Sequence, residues 1–81
     1  MDSSKDREAP EQLEAIYANY FKLGHNVHEF LLDFGQMFAE DTEPEFLVRI
    51  VTNPVYAKIF WTLLSDSIEQ YQKTHGPIPE T

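Results

Sequence analysis

The sequence predicts an α+β domain, a three-stranded antiparallel β-meander packed on one long C-terminal helix in the order β-β-β-α, assembled as a dimer. Three observations predict it. Three segments rich in β-branched and aromatic residues are separated by a Gly/Asn break and an acidic, proline-closed break. A proline-led run with apolar residues at helical spacing fills the last third. Finally, the apolar residues outnumber what one sheet face and one helix stripe can cover.

The 81 residues make a single small domain. A chain of this size buries only about 60–65% of its unfolded surface, so alone it is marginally stable. With no cysteine there is no disulfide, thiolate nucleophile or thiolate metal site to help. Residues 1–12, "MDSSKDREAPEQ", read as a flexible acidic tail, and residues 13–81 as the domain.

The first strand is expected in "AIYANYFKL", Ala15–Leu23, where aromatic residues alternate. "GHN" then offers turn chemistry, centred on His25-Asn26. "VHEFLLDFGQMF" reads as the second strand, and "AEDTEP" as a loop centred near Asp41 and closed by Pro44. "EFLVRIVT", Glu45–Thr52, is the third strand, ending in three β-branched residues. Thr52 or Asn53 is the expected N-cap, with Pro54 at the first helical position. Ala57, Phe60, Trp61, Leu64, Ile68 and Tyr71 follow at helical spacing. Lys73 and His75 suit the negative end of the helix dipole, Gly76 suits the C-terminal cap, and Pro77 stops the helix.

A two-residue turn at His25-Asn26 sets Phe21 opposite Phe30, Lys22 opposite Glu29 and Tyr20 opposite Leu31. A loop centred near Asp41 sets Phe34 opposite Val48, Leu32 opposite Ile50, Asp33 opposite Arg49 and Leu31 opposite Val51. Aromatic pairs then share one face, and the structural ion pairs Lys22–Glu29 and Asp33–Arg49 share the other. The first face holds Tyr17, Phe21, Leu23, Phe30, Leu32, Phe34, Phe46, Val48 and Ile50, and is expected to meet the helix. Alternation puts Asn19 there too, as a buried polar residue needing a partner. The second face is too apolar to stand in water, and the helix has apolar residues off its main stripe. Tyr20, Leu31, Leu47, Val51, Ile59 and Leu63 are therefore the expected interface of a homo-oligomer, a dimer by preference.

The order of these short words resembles one family. Tyr17-Ala18-Asn19, Asp33-Phe34-Gly35, Arg49-Ile50-Val51, Asn53-Pro54, Ala57-Lys58 and Gly76-Pro77-Ile78 are similar to the pattern of small prokaryotic proteins grouped as domain of unknown function 3467. The resemblance runs from about Ala15 to Pro79. It implies a stand-alone domain and no catalytic residues.

The residues offer little chemistry. His25 and His28, with Glu29 beside them, are the candidate metal ligands. On a strand, however, an H-x-x-H sends its rings to opposite faces, so no metal is expected. Glu29 and Asp33, four apart on a strand, would stand about 13 Å from each other, too far for a carboxylate pair, and the register offers each a cation. Asp33-Phe34-Gly35 matches the kinase magnesium motif, but the chain is too short for that fold. Gly35 instead suits a bulge, or a strand under an aromatic ring.

The formal net charge is −8, with only six Lys and Arg, scattered or in the tail. Direct nucleic-acid binding is disfavoured. No apolar run reaches the roughly 18–20 residues that span a bilayer, and the polar N-terminus lacks the pattern of a secretion signal. The expectation is a cytoplasmic, non-enzymatic module without cofactors, which self-associates and binds an unidentified protein partner. Two alternatives stand beside it. One is an oligomeric regulator reaching nucleic acid through a partner or local patch. The other is a small-ligand or metal-binding protein using His25, His28 or a pocket at Asn19.

Overall fold

The fold is given by a computed structural model that describes residues 13–40 and 42–80. The tail expected over 1–12 and the loop centre expected at Asp41 lie outside the described residues. The order is β1 (Tyr20–His25), β2 (Phe30–Gln36), β3 (Glu45–Thr52) and α1 (Pro54–His75). The strands form one antiparallel sheet in sequence order, so the expected β-β-β-α meander is the observed fold.

The second hairpin has the expected register. Leu31 pairs with Val51, Leu32 with Ile50, Asp33 with Arg49 and Phe34 with Val48. The first hairpin does not. Phe21 pairs with Phe34, Lys22 with Asp33 and Leu23 with Leu32. The chain turns through Asn26-Val27-His28-Glu29 rather than at His25-Asn26, and Gly24 lies inside β1 opposite Leu31. The cause is the Asn26 side chain. Its Oδ1 accepts from the N–H groups of His28 (2.7 Å) and Glu29 (2.9 Å), and its own N–H donates to the Glu29 carbonyl (3.0 Å). This Asx-type loop needs no left-handed residue, and none of the described non-glycine residues adopts one. A two-residue type I′ turn would have forced His25 to positive φ.

β1 starts later than expected because side chains replace the ladder. The Asn19 N–H donates to the Gly35 carbonyl (3.0 Å). The Asn19 side-chain amide then pairs with the Met37 backbone in both directions, at 3.1 and 2.9 Å. Gln36 Nε2 donates to the Tyr17 carbonyl (2.7 Å). Asn19 is thus exposed beside the sheet rather than buried on its face, a correction to the alternation argument.

A bulge between Phe34 and Gly35 shifts the β2–β3 pairing, so Gly35 pairs with Phe46 and Leu47 is the extra residue. This moves Phe46 to the face opposite the one expected. Its ring lies 5.6 Å from that of Tyr20, the two aromatics flanking Gly35. A Cβ on Gly35 would collide with the Glu45 carbonyl oxygen and come within 3.0 Å of the Phe46 Cα, so close backbone approach requires the glycine.

The connection from β3 to α1 is one residue long. Asn53 is extended (φ −99°, ψ 169°), and its side chain accepts from the Tyr56 N–H at 2.8 Å, capping the helix that Pro54 opens. At the other end, Gly76 takes φ 96° and donates its N–H to the Gln72 carbonyl (2.9 Å). Only glycine adopts such a conformation without strain. No helix among the described residues is long and apolar enough to cross a membrane.

Candidate functional site

Among the described residues, no large apolar side chain is buried; only Asp33 and Gly35 are. The helix contributes no buried residue. What the chain presents is therefore three surfaces, each built from a different side of the sheet or helix.

The first is an apolar cleft between the inner face of the sheet and the near side of α1. Leu32, Phe34, Ile50 and Thr52 form one wall and Tyr56 and Phe60 the other, around about 260 Å³. It continues beside Phe21, Leu23 and Leu64. Phe21 and Phe34 meet edge to face at 5.7 Å. The helix thus faces the expected side of the sheet, but Phe21, Ile50, Tyr56, Phe60 and Leu64 all stay about half exposed.

The second is the opposite face of the sheet, centred on Asp33. Arg49 donates through Nε (2.7 Å) and Nη2 (2.9 Å) to the two carboxylate oxygens, a bidentate fork across β2 and β3. These hydrogen bonds hold the Asp33 carboxyl below its ordinary pKa. Partial burial opposes the shift, and the charges of Arg49 and Lys22 add to it. The same pair raises Arg49 further. The Lys22–Glu29 pair expected from the two-residue turn is not formed. Glu29 sits in the loop, and Asp33 is flanked by both cations. Tyr20 and Leu31 are half-buried around this centre, while Phe46, Leu47 and Val51 are exposed. Lys22, Asp33, Phe46, Leu47, Val48 and Arg49 line a shallow groove there.

The third is the far side of α1, where Val55, Ile59 and Leu63 recur every four residues as an exposed stripe, with Lys58 and Thr62 beside them. A helix apolar on two sides is not a finished surface helix.

The candidate ligands are dispersed. His25 ends β1 and stacks on Phe30 at 5.3 Å, while His28 sits in the Asn26 loop. Among the described residues, no three His, Asp or Glu side chains are grouped to hold a metal ion. Asn19 has its amide committed to Met37. Sequence reasoning missed Phe46 on the charged face and Asn26 as the residue that sets the loop. The bulge-prone Gly35 and the Asx-turn preference of Asn were the available signals.

A family model described as "Protein of unknown function (DUF3467)" matches residues 4–80. No curated protein and no solved structure matches.

Proposed function

The chain belongs to that family of unknown function, DUF3467, and we propose that it works as a non-catalytic, self-assembling protein-interaction module of the cytoplasm. One observation carries this. A single copy leaves its whole set of described large apolar side chains unburied, including Leu23, Phe60, Trp61 and Leu63. Exposed apolar surface of this extent marks interfaces, and a chain this small gains a core by assembling. The non-catalytic part rests on Asp33, the most enclosed acid among the described residues, which is held in a fork by Arg49.

The two sides of the sheet take different roles in this reading. The uncharged inner cleft and the helix serve self-assembly. The opposite face, whose Tyr20, Leu31, Leu47 and Val51 are expected from the sequence to join the self-contact, is assigned in this reading to the protein partner instead, around the Asp33–Arg49 pair. A charged centre ringed by apolar side chains gives such a contact its register. Sedimentation equilibrium at micromolar concentration is the test. A dimer or larger symmetric assembly is expected; a monomer that unfolds cooperatively would overturn the proposal.

A further inference from the structure

We propose that two copies assemble by exchanging helices, α1 of each lying over the inner sheet face of the other, with Asn53-Pro54 as the hinge. This rests on the self-assembly reading and specifies its geometry.

The hinge is the first support. β3 ends at Thr52 and α1 starts at Pro54, leaving one extended residue between them. Proline fixes φ at the first helical position. A connection this short and stiff gives the chain no loop with which to lay the helix flat on its own sheet, and short hinges favour exchange between copies. The open cleft is the consequence. Its walls, from Leu32 and Ile50 on the sheet to Phe60 on the helix, face each other without closing, and no charged side chain lines it.

The second support is that the helix needs covering on both sides. Phe60 and Leu64 face the cleft, while Val55, Ile59 and Leu63 face away. An unrelated peptide in the cleft would leave that outer stripe in water. In a two-fold exchange the helices pass antiparallel, so the stripe of each packs on the other while the near sides cover the sheets. Side chains of these types bury roughly 150–250 Å² each when aromatic. With about half of each still exposed, the cleft and helix offer on the order of 1,000 Å² per copy, which is what an obligate homodimer uses. Charge fits as well. The first turn of α1 carries no acidic residue, and Asp66 lies on the same side as Val55 and Ile59. An antiparallel partner centred on Ile59 brings its Asp66 alongside the helix start at Asn53, where the dipole favours an anion.

The absence of cysteine makes the test clean. A five-residue Gly/Ser insertion between Thr52 and Asn53 keeps the cap and lengthens the hinge. Exchange predicts that the inserted chain closes on itself, its dimerisation weakened at least tenfold in sedimentation. In parallel, a chain carrying Ile50→Cys and Phe60→Cys is oxidised and run on a non-reducing gel. Exchange predicts a covalent dimer. A wild-type dimer whose mass survives the insertion, or a double-cysteine chain that bridges only within itself or not at all, overturns exchange while leaving self-assembly standing. A wild-type monomer removes both. Should the inserted chain fail to fold, the double-cysteine chain decides.

Discussion

Asp33 and Arg49 face each other across β2 and β3 with both carboxylate oxygens engaged, at 2.7 and 2.9 Å. The acid is nearly enclosed while the guanidinium is largely in water. The Asp33 pKa is lowered relative to the unfolded chain, so the pair favours folding at all pH values above the ordinary carboxylate pKa. That contribution disappears as pH falls through the lowered value. The expected outcome is a melting-temperature gap between wild type and Asp33→Asn that is constant near neutrality and narrows below about pH 4. Thermal melts from pH 7 to pH 2 measure it; a gap that widens in acid would contradict the assignment.

The pair also shows what the sequence could reveal. Asp33–Arg49, Leu32–Ile50 and Phe34–Val48 followed from centring one loop, which brings the one cation of β3 opposite the one carboxylate of β2. The first hairpin was ambiguous for a physical reason. The expected and observed registers differ by four residues, an even number, so every side chain keeps its face. Phe21 meets a phenylalanine in both, and Lys22 meets a carboxylate in both. What separates them is a side-chain–backbone choice made by Asn26, which no hydrophobic pattern encodes. Asn19 was misplaced because the ladder continues past β1 through its amide, so alternation no longer applied.

Asn26 therefore has a measurable role. Asn26→Ala removes the acceptor for two backbone N–H groups and should cost about 1 kcal/mol, with Asn26→Asp restoring most of it. Amide hydrogen exchange at His28 and Glu29 should quicken in the alanine variant. Unchanged protection at both would mean that another group closes the loop.

The two strand glycines should respond with opposite signs. Gly35→Ala places a methyl against the Glu45 carbonyl oxygen and the Phe46 Cα, which must move apart, at about 1–3 kcal/mol. Gly24→Ala meets nothing within 4 Å and removes backbone freedom from the unfolded chain, for a gain of about 0.5–1 kcal/mol. Urea denaturation at one fixed protein concentration compares them. Equal effects would show that the bulge relaxes freely.

At the hinge, Asn53→Ala should lose about 1 kcal/mol with the cap to the Tyr56 N–H. Asn53→Asp keeps the acceptor and adds a negative charge to a first turn that has none. It should be at least as stable as wild type, by up to about 1 kcal/mol at low salt, with the difference shrinking as salt is added. An aspartate variant no better than alanine would show that the cap contributes nothing.

The last prediction separates the surfaces assigned to self-assembly and to the partner. Ile59 lies on the far stripe of α1, and Val51 lies with Leu31 on the charged face of the sheet; both are about half exposed in a single copy. Burying a carboxylate without a partner costs several kcal/mol, so an aspartate at an interface position should dissociate the contact it enters. Ile59→Asp is expected to reduce the sedimenting mass to that of one chain. Val51→Asp is expected to leave the mass unchanged and abolish retention of the partner. If Val51→Asp halves the mass and Ile59→Asp does not, the charged face is the self-contact and the assignment of the two surfaces is reversed.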